Sequence, residues 1–218
     1  MPILIPLSDA SRRPRRFPVC TLLLVAVNLA AFALELNRGG AFVRRWAVIP
    51  EDIAAGNNWI SLLTAMFLHR SWLHLLGNMV FLWTFGPQVE DAMNPRRYPV
   101  FYLLGGLVAS LAQVAVSPHS TVPVLGASGA IAAVMGAFLV TYPADRIRVI
   151  LAIFVFVRVR LVPAALLIGV WFLIQLVNVG SVAQVQTGGI AYTAHVVGLA
   201  FGALTARPFE ASSAVERG

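Results

Sequence analysis

Residues 161–206 read LVPAALLIGVWFLIQLVNVGSVAQVQTGGIAYTAHVVGLAFGALTA, without one aspartate, glutamate, lysine or arginine. A helix crosses a bilayer with about 20 mostly apolar residues, so this run is too long for one span. Its polar middle, Asn178 to Gln186, divides it into two. An uncharged stretch of this length decides the fold class: an all-α membrane protein.

The rest of the chain agrees. Of its 218 residues, 59% are hydrophobic and only 11% are charged, whereas a soluble domain has roughly a quarter of its residues charged. Mean hydropathy is +0.81. Working back toward the N-terminus, Gly126 to Tyr142, Tyr98 to Ser117 and Ser71 to Val89 are further uncharged runs of spanning character. Phe17 to Leu34 is another, following Arg12, Arg13, Arg15 and Arg16. A cleaved signal peptide would carry an apolar core of roughly 7–15 residues and a small-residue cleavage site. This run is longer and continues through Glu35 into a polar loop, so it reads as the first of six spans. Val149 to Val157 is too short to span; bracketed by Arg146, Arg148, Arg158 and Arg160, it reads as an interfacial strand or hairpin.

Every basic residue is an arginine, and the formal net charge is +7. The arginines lie in small groups between apolar runs, which fits topology determinants and not a phosphate-binding surface, so no nucleic-acid partner is expected. With the N-terminus inside, Arg12, Arg13, Arg15, Arg16, Arg96, Arg97, Arg146, Arg148, Arg158, Arg160, Arg207 and Arg217 are cytoplasmic. Only Arg38, Arg44, Arg45 and Arg70 fall outside, all in one loop. Both termini are therefore expected in the cytoplasm, as tails 1–16 and 207–218 around a membrane domain 17–206. The single Cys20 provides neither a disulfide framework nor a metal site, and no cofactor is expected. The outer loop, roughly Asn37 to Arg70, is rich in apolar side chains such as Trp46, Trp59, Met66 and Phe67. It reads as a structure lying partly in the outer membrane interface. Oligomeric state is open.

Polar groups in hydrocarbon are costly and mark function. His74 and Asn78 in span two, Ser128 in span four and His195 in span six stand out. Spans two, four and six run in the same direction, and at 1.5 Å per residue all four side chains lie within about 10 Å of the outer helix ends. They could converge. His74 and Asn78 share one helix face. Ser128 stands in Gly126-Ala127-Ser128-Gly129-Ala130, where a helix beginning at the serine would aim free N–H groups at a developing oxyanion. Gly188, Gly189, Gly198 and Gly202 in span six, with Ala132, Ala133 and Gly136 in span four, allow close helix contact. A neutral imidazole can take the proton of a serine hydroxyl near pH 7. His74 and Asn78 could donate to the tetrahedral intermediate. Glu90, Asp91 and Asp145 belong to the opposite side, so no acid is expected at this depth and a dyad is expected in place of a triad.

These residues also carry a resemblance. His69-Arg70-Ser71-Trp72-Leu73-His74-Leu75-Leu76-Gly77-Asn78 is similar to the H-x4-H-x3-N motif of the rhomboid family of intramembrane serine proteases. Gly126-Ala127-Ser128-Gly129 resembles its GxSG motif, and Ala194-His195-Val196-Val197-Gly198 its AHxxG motif. The resemblance spans about Phe17 to Ala206. It implies a six-transmembrane-helix rhomboid-like bundle, with Ser128 as nucleophile and His195 as general base. His74, Asn78 and the Ser128 backbone N–H would form the oxyanion hole. His69 and Glu90, with Gly86, match family positions of supporting character. Two positions depart from the family. Its Trp-Arg pair in the first outer loop is reversed as Arg45-Trp46, and Ala132 replaces a tyrosine that stacks on the histidine in some members. Tyr192 or another ring is left to do that stacking.

The expected activity is hydrolysis of peptide bonds in or near transmembrane helices, with membrane proteins as substrates and the loop from Asn178 to Gly189 as a mobile cap. The rival readings are an inactive rhomboid-like module that captures membrane helices, and a transporter or proton relay. The second would spread its polar residues through the full depth of the bundle. The compact six-span form, with no organellar presequence, points to the plasma membrane of a prokaryote.

Overall fold

The computed structural model describes residues 3–153, 156–182 and 191–211. The chain opens with strand β1 (Ile3–Asp9) and enters helix α1 (Val19–Arg38). Thr21, Asn28, Phe32 and Glu35 of α1 are buried, whereas Leu23, Val27, Leu29 and Leu34 are exposed. A helix that turns its polar stripe inward and its aliphatic face outward is built for lipid and not for water.

The segment expected as the first outer loop is folded. It contains the short helices α2 (Gly40–Trp46), α3 (Pro50–Ala54) and α4 (Ser61–Thr64), followed by a 3₁₀ turn at Ala65–Phe67. Val48, Ile53, Leu62 and Ala65 bury themselves together with Val114. The Thr64 hydroxyl donates to the Trp46 carbonyl at 2.7 Å. The reversed Arg45-Trp46 pair is itself a cation–π contact, with the guanidinium 5.6 Å from the ring centroid.

Ser71 caps α5 (Trp72–Met93), its hydroxyl accepting the His74 N–H at 3.2 Å. Next come α6 (Arg97–Val116) and α7 (Ser128–Thr141). Every residue of α7 from Gly129 to Phe138 is buried. It is the central helix, in contact with α5, α6, α8 (Ala164–Val182) and α9 (Tyr192–Phe209). Helices thus lie at all six expected places. Among the described residues two helices, Val19–Arg38 and Arg97–Val116, are long and apolar enough to cross a membrane by length and composition, with shorter apolar helices at Ser128–Thr141 and Ala164–Val179.

The arginine-bracketed run forms the expected hairpin, longer than its apolar part: β2 (Arg146–Ile153) pairs with β3 (Phe156–Pro163), with Val149 opposite Arg160. The first residues do more than a tail would. β1 joins the other edge of β2, with Ile5 opposite Ile150, giving an antiparallel sheet in the order β1-β2-β3. Pro6 fits because the register shifts between Pro6 and Ser8, where a ladder N–H is not required. The bundle is therefore helical with one small sheet. Helix α9 also runs on to Phe209, past the expected boundary at 206. The expected cap, Asn178 to Gly189, lies largely outside the described residues, as do Gly188 and Gly189.

Candidate active site

Ser128 is the first residue of α7, so the leading N–H groups of that helix have no partner within it. The approach to Ser128 is fixed from both sides. Val48 and Val124 exchange backbone bonds of 3.0 and 2.8 Å, and the Gly126 N–H donates to the Ala65 carbonyl at 2.9 Å. The folded segment between α1 and α5 thus holds the residues that lead into the serine. Gly126 has φ +128°, where a side chain is strained, and a Cβ there would meet the His74 ring at 2.8 Å.

Helices α7 and α9 meet backbone to backbone. A Cβ on Gly198 would lie 2.3 Å from the Gly129 carbonyl oxygen, and one on Gly136 would lie 2.1 Å from that of Leu199. At this approach His195 Nε2 and Ser128 Oγ are 2.6 Å apart. Both residues are half-buried and so remain reachable.

His195 has a second partner that the sequence reading left unmarked: Gln175 of α8, whose Oε1 is 2.8 Å from Nδ1. A glutamine inside an apolar span was the available signal. The Trp171 ring, one turn earlier, lies 5.6 Å from the imidazole at 38°, while Tyr192 meets it edge-on at 6.4 Å. The nearer ring against His195 is therefore Trp171.

His74 and Asn78 project from α5. The Cβ point on Gly126 that would touch the His74 ring is also 3.7 Å from Ser128 Oγ, so His74 stands beside the serine. The Arg70 N–H donates to His74 Nδ1 through a long 3.5 Å bond, which leaves the ring's proton on Nε2, the edge turned to Gly126. Asn78 is 8% exposed, and its buried Nδ2 has no hydrogen-bond partner among the described residues. A small cavity beside Ser128 is walled by Met66, Gly106, Ala109, Ser110, Gly129 and Ala194.

His69 is buried and meets His74 edge-on at 5.1 Å. Its own environment pushes the imidazole pKa down to about 4, chiefly by burial and then by the neighbouring His74, so the ring is neutral. One correction concerns acids at this end. Glu35, at the last turn of α1, is buried here, and its carboxylate accepts the His69 backbone N–H at 3.0 and 3.2 Å. Its bonds go to the loop backbone, whereas the ring nitrogens of His195 meet Gln175 and Ser128. At the opposite end, Glu90 accepts from the Cys20 N–H at 2.9 Å, the Thr21 N–H at 2.8 Å and the Thr21 hydroxyl at 2.7 Å. A Cβ on Gly86 would press on the Tyr98 hydroxyl at 2.9 Å. His119 is exposed in its loop.

Comparison with known proteins fits this arrangement. Residues 56–210 match the family model described as "Rhomboid domain". The chain is 34% identical over 126 residues to "Rhomboid protease GluP" of Bacillus subtilis (strain 168), covering 56% of this chain and 24% of that protein. It is 27% identical over 188 residues to "Rhomboid protein 1, mitochondrial" of Saccharomyces cerevisiae, covering 83% of this chain and 50% of the other. It is 28% identical over 126 residues to "Putative rhomboid protease YdcA" of Bacillus subtilis (strain 168), covering 57% of this chain and 63% of that one. The chain thus spans less than two thirds of the length of each of these relatives.

Proposed function

The chain belongs to the rhomboid family, a family of helical membrane proteins, and from that premise we propose that it is an intramembrane serine endopeptidase acting through Ser128 and His195. The observation that carries the reading is the 2.6 Å bond between Ser128 Oγ and His195 Nε2, on two helices pressed together through glycine.

The chemistry follows from the donors and acceptors. His195 Nε2 takes the hydroxyl proton as Oγ attacks the substrate carbonyl, and the carbonyl oxygen becomes an anion. The Ser128 N–H, Asn78 Nδ2 and His74 Nε2–H donate to it. His195 then passes its proton to the leaving amine, and an ester on Ser128 remains. Water, deprotonated in turn by His195, hydrolyses that ester and restores the serine. Asn78 Nδ2 suits this role because it is buried without an acceptor among the described residues. The walls of the cavity beside Ser128 favour a small substrate side chain.

In this reading the six helices all span, with both termini in the cytoplasm of a prokaryotic cell and the helical domain running from near 17 to the end of α9 at Phe209. The substrates are transmembrane segments, unwound locally near the outer face so that their peptide bonds leave their own helical hydrogen bonds.

The second reading is a family member that binds membrane helices without cutting them. The retained, hydrogen-bonded Ser128 and His195 favour the protease. Purified chain and a single-span model substrate, compared with Ser128→Ala and His195→Ala, test the two. Cleavage by the parent alone is expected, with a fluorophosphonate labelling the parent and sparing Ser128→Ala. Equal cleavage by parent and mutants sinks the dyad, and substrate capture without cleavage favours the binding module.

A further inference from the structure

Helix α8 buries Ala164, Ile168 and Gln175 in one stripe, which Trp171 completes, and exposes Leu173, Ile174, Leu176 and Val177. An amide on the packed stripe of so apolar a helix is costly unless both of its ends are bonded. Both are. Gln175 Nε2 donates to the Trp171 carbonyl at 3.3 Å, and Oε1 faces His195 Nδ1 at 2.8 Å.

Donor and acceptor rules then leave one arrangement. The Trp171 carbonyl only accepts, so the NH₂ end of the amide must face it. That puts Oε1 against the imidazole, and an amide oxygen also only accepts, so the proton of neutral His195 sits on Nδ1. Nε2 is left with its lone pair toward Ser128, the form a general base requires. A flipped amide would set oxygen against carbonyl oxygen and force the histidine proton onto Nε2, where it could not accept from the serine.

We propose that Gln175 is the positioning residue of the Ser128–His195 pair, holding the imidazole proton on Nδ1 so that Nε2 faces the serine hydroxyl as an acceptor. The proposal rests on the serine-protease reading above and adds to it a third, neutral member carried by α8. Being uncharged, the amide fixes the tautomer with less stabilisation of the imidazolium than a carboxylate gives, where loss of the holder costs ~10⁴-fold in rate.

The test uses the full chain in lipid vesicles, as parent, Gln175→Leu and Gln175→Glu. Its readouts are kcat and KM on a single-span substrate across pH, and the ¹⁵N signals of the labelled His195 ring. Gln175→Leu is expected to lower kcat by roughly 10- to 100-fold, with KM within about twofold, and to populate the Nε2–H tautomer. Gln175→Glu is expected to recover most of the rate. Its carboxylate favours imidazolium, so the acid limb of the rate profile moves to higher pH. Parental kcat and parental tautomer in Gln175→Leu overturn the proposal. If the parent neither cleaves nor reacts at Ser128, the protease reading falls and the ring signals still decide this one. Nδ1–H in the parent, lost in Gln175→Leu, supports the assignment; Nε2–H in the parent overturns it.

Discussion

Gly202 lies so close to Ala133 that a Cβ on the glycine would fall 1.9 Å from the Ala133 carbonyl oxygen. Backbone cannot yield as a side-chain tip can, so Gly202→Ala must push α9 away from α7. Overpacking of this kind costs about 1–3 kcal/mol. Because the same two helices carry Ser128 and His195, the displacement also stretches their 2.6 Å bond. Gly202→Ala is expected to lower the midpoint of thermal unfolding by several degrees and kcat by at least about tenfold. Gly169→Ala, whose Cβ meets nothing within 4 Å among the described residues, is the control and should lower neither. Normal kcat in Gly202→Ala would show that the dyad tolerates the separation.

Asn78 separates catalysis from stability. Its buried Nδ2 has no partner among the described residues, so removing it deprives them of no hydrogen bond from that atom. Asn78→Ala is expected to lower kcat by about 10²–10³-fold, the loss typical of an oxyanion donor. Thermal stability should stay near the parent's, and a fluorophosphonate should still reach Ser128. A large loss of stability with little change in kcat would make Asn78 a structural residue.

The helices and the polar quartet were legible because each is a local contrast: uncharged runs against arginines, and a histidine, serine or asparagine against aliphatic neighbours. Gln175 offered the same contrast, yet its meaning depends on His195, which reaches it across the segment joining α8 to α9. An amide is also neither nucleophile nor base, so chemistry did not single it out. Glu35 escaped because its partner is a backbone N–H, which has no signature in sequence. β1 escaped because Ile3–Asp9 contains a proline and gains its order only from an edge near Ile150. The outer loop's role was hidden for the same reason, since the Val48–Val124 bridge joins distant backbone groups.

Glu90 tests whether the inner end of the bundle is scaffold alone. Pro18 gives α1 no side-chain cap, and Glu90 supplies one from α5 by accepting the Cys20 and Thr21 N–H groups. Glu90→Ala leaves those donors and the Thr21 hydroxyl without their acceptor, at a cost of ~1–3 kcal/mol. It stands sixteen residues along α5 from His74, about 24 Å at helical rise. The expected result is a lower unfolding midpoint with kcat of the folded fraction near the parent's. A changed pH profile for cleavage would tie this end of α5 to the chemistry.

Asp9 makes the sheet pH-sensitive. The residue is 7% exposed, with Oδ1 accepting the Ser11 N–H at 2.7 Å and Oδ2 buried with no hydrogen-bond partner among the described residues. Burial raises its pKa from 3.8 to about 6, and the nearby Asp145 carboxylate, itself paired with Arg12, adds to the rise against the Ser11 bond. The folded chain thus holds this proton more tightly than the unfolded chain. The resulting stabilisation is full below about pH 4 and is lost as pH rises through 6. Asp9→Asn keeps an acceptor for Ser11 and removes the charge. Thermal midpoints measured from pH 4 to 8 should therefore show a gain for Asp9→Asn over the parent that grows as Asp9 ionises and levels off above about pH 7. A difference between the two curves that does not change with pH would mean that Asp9 ionises without cost in the fold.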